Sequence, residues 1–213
     1  MRRKEFRMEQ QEEIDQFLDE MTFGCLGTVN EDGWPHITPV NFVYYKGKIY
    51  FHGSRFGQKM KHLKTSDKVT FLVAKEYALI PSYYTDPELA CPATAYFKSV
   101  WVKGTAEMVE DSAEKAEALQ AFMQKLQPEG GFRPITAEDP EYAARIKGVA
   151  VVAINIMDMT AKFKFGQNLR EEVRDQVITS LYSRKAELDE ETARLMRLYC
   201  PGHDKGEANK GDR

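Results

Sequence analysis

Apolar residues are spaced in two ways along this chain. Over 8–21, Ile14, Phe17, Leu18 and Met21 fall at i, i+3, i+4 and i+7 with Glu and Gln between them, which predicts one amphipathic helix. From Thr22 to Val29 the residues are β-branched or small, the composition of a strand. Asp32-Gly33 is a hairpin turn signal, His36 to Tyr45 follows as a second strand, and Lys46-Gly47 turns the chain into a third strand over Lys48 to His52. A tight turn at Lys46-Gly47 sets a register with Asn41 opposite His52 and Pro39 opposite Ser54. Pro39 has no N–H for a ladder, so it marks an edge, a bulge or an interruption.

Further on, 57–65 reads as a short helix with Met60 and Leu63 as its apolar contacts, and Lys68 to Ala74 as a fourth strand. The stretch 75–95 holds Tyr77, Tyr83, Tyr84 and three prolines and is expected to be a long irregular loop, functional or mobile. Tyr96 to Met108 is a fifth strand, 112–127 a helix built on Ala116, Leu119, Phe122, Met123 and Leu126, and 128–140 a loop around Gly130-Gly131. A short helix over 140–146, a sixth strand over 148–158 and one or two helices over 169–199 complete the pattern. Pro201 to Arg213 has many charges and no large apolar residue, and is expected to be a disordered tail.

Strands joined by short turns, with helices mostly outside them, predict an antiparallel β-barrel with attached helices, a mainly β or α+β fold. The expected organisation is a barrel domain with its N-terminal helix over 1–167, a C-terminal helical extension over 168–200 and the tail over 201–213. No GxGxxG or P-loop occurs between a strand and a helix, which weighs against a Rossmann or P-loop nucleotide site.

Composition narrows the partners. In 213 residues, 30 Lys+Arg stand against 33 Asp+Glu, a net charge of −3, which argues against a general nucleic-acid binder. No apolar run approaches the roughly 20 residues of a membrane helix. Met1-Arg2-Arg3-Lys4 is followed by Glu5-Phe6-Arg7 and not by a signal-peptide core. Cys25, Cys91 and Cys200 are far apart and form no CxxC, so three reduced thiols in a cytoplasm are expected.

The densest polar constellation runs from His36 to Lys59. Within it, Phe51-His52-Gly53-Ser54-Arg55-Phe56-Gly57-Gln58-Lys59 joins a strand end to a helix start. Glycines allow close backbone approach, free N–H groups at a helix start favour an anion, and Ser54 and Lys59 add a hydroxyl and a cation, a set that suits a phosphate. An ordinary capped helix with solvated lysines explains the same spacing equally well. His36, His52, His62 and His203 form no HExxH or other ligand spacing, so no metal site is expected. No Ser-His-Asp or GxSxG arrangement appears, and no catalytic acid or base is assigned. Tyr83 and Tyr84 either pack or stack on a planar substrate.

The runs Gly24-Cys25-Leu26-Gly27-Thr28-Val29, Pro35-His36-Ile37-Thr38-Pro39-Val40-Asn41-Phe42, Ile49-Tyr50-Phe51-His52-Gly53-Ser54 and Gly57-Gln58-Lys59 together resemble the pyridoxamine 5′-phosphate oxidase-like superfamily, nearest to its nitroimidazole-resistance branch. Tyr96-Phe97-Lys98-Ser99-Val100 and Gly104 extend the resemblance, which covers about residues 8–165. It implies an FMN-binding split β-barrel, usually a homodimer. Matched position by position, it implies that Thr38, Pro39, Val40 and Asn41 line the flavin ring beside His52, Gly53 and Ser54, that Gln58 and Lys59 meet the FMN phosphate, and that Ser99 reaches the flavin from the partner subunit. Lys164 and Gln167 resemble positions that close the site across the dimer.

The chain departs from pyridoxamine phosphate oxidases where they carry a basic residue early in the second strand, here His36-Ile37-Thr38, and an Arg beside the phosphate Lys, here Gln58. Their C-terminal Trp and Arg signature is replaced by Phe165-Gly166-Gln167-Asn168. These departures weigh against vitamin B6 oxidation. The function the resemblance implies is FMN-dependent reduction of a small planar acceptor such as a 5-nitroimidazole, with NAD(P)H as a candidate donor. A non-catalytic flavin carrier or sensor, and a haem-binding split barrel, are the alternatives.

Overall fold

The structure, a computed structural model, describes residues 3–200. The expected tail over 201–213 lies outside the described residues. Eight antiparallel strands, β1 (Arg7–Met8), β2 (Phe23–Val29), β3 (Pro35–Asn41), β4 (Val43–Tyr45), β5 (Lys48–Gly53), β6 (Lys68–Ile80), β7 (Thr94–Met108) and β8 (Ala150–Lys164), form one sheet. The described helices are α1 (Gln11–Glu20), α2 (Gln58–Thr65), α3 (Ser112–Leu126), α4 (Pro140–Gly148), α5 (Glu171–Arg184) and α6 (Asp189–Tyr199).

The sheet order is β3-β2-β6-β7-β8-β5-β4, with β1 added to β8. Its first and last strands are neighbours in sequence, separated by Phe42 alone. The sheet must therefore curl until its two ends meet, yet the ladder stays open there, which is the split-barrel α+β fold. Phe42 makes the split. Its N–H donates to the Thr22 carbonyl at 3.3 Å, and its buried ring meets Phe71 edge-on at 5.2 Å. The single strand expected over His36 to Tyr45 is thereby cut in two.

The register expected from the Lys46-Gly47 turn holds for Tyr45 opposite Lys48 and Val43 opposite Tyr50. It does not reach Asn41 and His52. Asn41 pairs with Phe23 of β2, and His52 with Val151 of β8. Pro39 sits on an edge strand, as a residue without an N–H should. The expected loop over 75–95 is strand as far as Ile80, followed by a 3-10 turn over Ser82–Tyr84. The last strand runs on to Lys164.

Among the described residues two compact units emerge, each drawing on the long strands: 3–8, 74–99 and 161–200 make one, and 9–73 and 100–160 the other. In the second, α3 is fastened to the β4–β5 hairpin. Tyr50 donates to Glu114 at 2.8 Å, Lys46 pairs with Glu117 at 2.6 Å, and Val43, Tyr50, Ala118, Phe122, Val151 and Ala153 share one core. In the first, Phe165 meets Tyr77 at 5.3 Å and Tyr199 at 5.6 Å, so aromatic stacking holds α6 to the strand ends. Arg184 forks onto the buried Asp189 and closes the α5–α6 corner.

Candidate functional site

Strand β5 ends at Gly53, and α2 begins at Gln58 after four intervening residues. Gly57 holds φ at 130°, a conformation glycine tolerates and other residues resist, so the chain can swing into the helix there. No side chain caps α2, and no acidic residue lies in its first turn. Its leading N–H groups are left for an external acceptor.

Lys59, the second residue of the helix, folds back over the strand end. Its Nζ lies 3.6 Å from the point where a Cβ on Gly53 would be. Ser54 accepts from the Phe56 N–H at 3.1 Å, and Arg55 donates to the Lys147 carbonyl at 2.6 Å, which ties the loop to the end of α4. A lysine at the positive end of a helix, with no acid beside it, is electrostatically misplaced unless an anion sits between. Gly53, Ser54, Gln58 and Lys59 thus lie along the one turn from β5 into α2, with Lys59 folded towards Gly53. A groove of about 320 Å³ uses the same loop, lined by Arg55, Phe56, Met60, Leu63 and Met108.

His52 lies on β5 just before this turn. Its ring stands edge-on to Phe122 at 4.8 Å. The loss of water on that side lowers its pKa below the ordinary histidine value, so the imidazole is neutral at pH 7.

On β3, the candidate ring-lining residues divide between two faces. Thr38 is half-buried, with its hydroxyl 3.1 Å from His36 Nδ1, and Val40 is buried. Pro39 is exposed beside Ile37, and Asn41 donates to the Thr22 carbonyl at 3.1 Å. β3 also approaches β5 without hydrogen-bonding to it. Behind β3, His36 and His62 meet edge-on at 5.2 Å, and His62 Nδ1 lies 2.9 Å from the Thr28 hydroxyl. Sequence spacing did not pair these histidines, because α2 has to fold onto β2 to bring them together. Among the described residues no group of three or more His, Cys, Asp or Glu side chains is placed to hold a metal.

The remaining candidates belong to the other unit. Ser99 is half-buried on β7. Lys164 donates to the Thr94 hydroxyl. Gln167 donates to the Phe163 carbonyl at 2.6 Å and accepts from the Phe165 N–H at 2.7 Å, so its amide is engaged in holding its own turn. Burial, with Lys162 and Arg3 nearby, lowers the pKa of Lys164.

Residues 10–163 match the family model described as pyridoxamine 5′-phosphate oxidase. No curated protein matches the chain. Among solved structures, the flavocytochrome Anf3 from Azotobacter vinelandii is 25% identical, with 85% of this chain and 76% of that one covered and a TM-score of 0.62. A candidate 5-nitroimidazole antibiotic resistance protein from Bacteroides thetaiotaomicron is 22% identical, with 73% and 85% covered and a TM-score of 0.58. A FAD and haem binding protein from Mycobacterium smegmatis is 16% identical, with 76% and 74% covered and a TM-score of 0.61. The last two likenesses are likenesses of fold.

Proposed function

Because this chain belongs to the pyridoxamine 5′-phosphate oxidase family, we propose that it is an FMN-dependent oxidoreductase that reduces a small planar acceptor. A nitroaromatic of the 5-nitroimidazole type is the candidate acceptor and NAD(P)H the candidate donor. The observation that carries the reading is Lys59, folded over Gly53 at the uncapped, acid-free start of α2. One cation, the Ser54 hydroxyl and two or three helix N–H groups suit a terminal phosphate monoester.

The flavin supplies the redox chemistry; the chain binds and orients it. Lys59, Gln58, Ser54 and Gly53 hold the phosphate. Thr38 to Asn41 and the neutral His52 line the ring edge, where an uncharged imidazole can accept a hydrogen bond or donate one without adding charge. Ser99 is the position matched to a contact from the partner subunit.

A homodimer fits the outward face of β2, β3 and β6. Cys25 lies opposite both Pro39 and Leu72, and Gly27 opposite Ile37. On this face Phe23 is 56% exposed, Ile37 69% and Leu72 40%, an apolar surface suited to a second copy. No helix among the described residues is long and apolar enough to cross a membrane. All three cysteines are free thiols, which fits a reducing cytoplasm.

The test is the absorbance spectrum of the freshly purified protein, with release and mass identification of its chromophore. A flavin band and the mass of FMN, followed by turnover with a pyridine nucleotide and a nitroimidazole, support the proposal. A Soret band, or a protein that stays colourless in excess FMN, overturns it. Bound FMN without turnover of any donor leaves a carrier or sensor.

A further inference from the structure

The loop between β5 and α2 borders a groove of about 320 Å³, whose other walls are α2 and the last three residues of β7, Ala106, Glu107 and Met108. All of these belong to the unit made by 9–73 and 100–160. Met60, Leu63 and Lys64 stand at i, i+3 and i+4 on α2, so one face of the helix is turned to the groove. His62 lies on another face and packs against β2, with its Nδ1 2.9 Å from the Thr28 hydroxyl. None of the residues that line the groove is assigned to the flavin.

The groove offers three kinds of contact. Phe56 is 86% exposed, more than any other large apolar side chain among the described residues, and it lines the groove with Met60, Leu63 and Met108. An aromatic ring in water adds little to the core and keeps its face for stacking, and thioethers adapt to the outline of a flat ring. Arg55 and Lys64 are the cations. Arg55 is held by a hydrogen bond from Nη2 to the Lys147 carbonyl at 2.6 Å, which leaves its other N–H groups to donate elsewhere. Glu107 is the one carboxylate of the lining. Its Oε1 accepts from the Asn155 amide at 2.8 Å and lies 3.7 Å from the Lys48 ammonium, so Oε2 remains to accept. Among the described residues Glu107 forms an ion pair with Lys48 and with neither Arg55 nor Lys64, so the groove keeps its opposite charges apart.

We propose that this groove binds a purine nucleoside 5′-monophosphate, with its base on Phe56, Met60, Leu63 and Met108, its ribose hydroxyls on Glu107 and its phosphate on Lys64 and Arg55. A base needs a stacking partner, a ribose diol needs an acceptor, and a phosphate needs donors that carry positive charge. The lining supplies all three. An apolar acid would leave Glu107 unmatched, and an inorganic anion would leave Phe56 and the methionines unmatched. The volume lies at the lower end of the range for small organic ligands, which suits a mononucleotide better than a whole dinucleotide. The occupant is a free nucleotide or the adenosine half of a pyridine dinucleotide. The second source rests on the donor proposed above, whereas binding of the mononucleotide itself does not.

The probe is AMP, titrated by equilibrium dialysis into the full chain as purified. Adenosine, 2′,3′-dideoxyadenosine 5′-monophosphate and ribose 5-phosphate are the comparisons, each lacking one of the three contacts. The place of binding is read by photolabelling with 8-azidoadenosine 5′-monophosphate and mass spectrometry of the peptides. The expected result is one AMP per chain, label within 55–64 or 106–108, and each comparison compound weaker by about threefold or more. Phe56→Ala, at an exposed side chain, weakens AMP about fivefold or more and brings it close to ribose 5-phosphate. Lys64→Ala, also at an exposed side chain, narrows the gap between AMP and adenosine. Glu107→Gln, whose amide oxygen still accepts from Asn155, narrows the gap between AMP and the dideoxy compound. Lys59→Ala leaves AMP within about twofold, since that lysine is outside the groove. Displacement of AMP by NADH and not by nicotinamide mononucleotide identifies the dinucleotide's adenosine half as the occupant, and AMP that stays bound in excess NADH identifies the free nucleotide. No binding of AMP, label elsewhere, ribose 5-phosphate binding as tightly as AMP, or unchanged affinity in the Phe56 and Lys64 variants overturns the proposal. So does loss of AMP binding in Lys59→Ala, which would place the probe at the turn proposed for the FMN phosphate.

Discussion

Replacing Lys59 with Ala separates what this residue does for the fold from what it does for a ligand. In the free protein Lys59 is a positive charge in the first turn of α2, with no acid there to offset it. Cations at that end of a helix are unfavourable by about 0.3–1 kcal/mol. Lys59→Ala should therefore leave the flavin-free protein as stable as the original or slightly more so. With FMN bound the sign reverses. A hydrogen bond to a charged group contributes about 1.5–3 kcal/mol, and Lys59 is only half-buried, so water and salt screen part of this. Taking the lower end, FMN should bind roughly tenfold more weakly. Riboflavin, which lacks the phosphate, should bind both proteins alike. The assay is quenching of flavin fluorescence on titration into stripped protein, with FMN and riboflavin in parallel, beside urea melts with and without FMN. Equal losses for FMN and riboflavin, or an FMN affinity within twofold of the original in a folded variant, would refute the phosphate assignment. A variant that is less stable even without flavin would show that Lys59 serves the helix and not a ligand.

Three further outcomes follow from other parts of the molecule. Ile37 is 69% exposed on the apolar outer face proposed to meet a second copy, so light scattering should find a dimer for the original chain and a monomer for Ile37→Asp; a monomeric original, or a dimer that survives the change, removes that face as an interface. A Cβ on Gly104 would lie 2.3 Å from the Asn155 carbonyl oxygen, backbone that cannot swing aside, so Gly104→Ala should cost about 1–3 kcal/mol in chemical melts, and an unchanged melt would mean that β7 and β8 part easily there. Lys125 donates to the Leu18 carbonyl at 2.8 Å and lies 4.2 Å from the Phe42 ring, and burial lowers its pKa from 10.5 to about 8. Between those values the unfolded chain holds the proton and the folded one does not, so this group makes stability rise with pH across that window. Urea midpoints at pH 7.5 and 10 should show that rise in the original protein relative to Lys125→Met, and parallel profiles would contradict it.

The strands were legible where their alternation is strict and illegible where it changes phase. In β6 the inward positions Val69, Phe71 and Val73 keep a period of two. Then Tyr77 and Ala78 are both buried, the phase slips, and a reading that demands strict alternation stops near Ala74. β8 mixes three patterns. Ala150 to Ile154 are all buried, the middle faces out, and Ala161 and Phe163 turn inward again, so only its first part looks like one strand. The split at Phe42 has no local signal. It depends on the Thr22 carbonyl and the Phe71 ring, which the fold brings from elsewhere.

The same distinction governs the site. Gly53, Ser54, Gly57, Gln58 and Lys59 are close in sequence, and the geometry that gathers them is a strand end, a positive-φ glycine and a helix start, all of which leave local marks. The departure at Gln58 is informative here. Where the resemblance to pyridoxamine phosphate oxidases implies an Arg, this chain has Gln58, so in the proposed site Lys59 and the uncapped N–H groups would share the phosphate between them. That concentrates the expected energetic effect on one side chain, which is why the Lys59→Ala experiment is decisive for this chain. The second basic cluster obeys the opposite logic. Lys162 and Lys164 share a strand face by spacing alone, but Arg3 joins them only because β1 adds to β8. Their meaning changes with that contact. Two lysines on a strand are ordinary surface chemistry, whereas with Arg3 beside them three cations and no carboxylate line one cavity, together with Thr85, Thr94 and Asn168 and apolar groups such as Phe6 and Ile80.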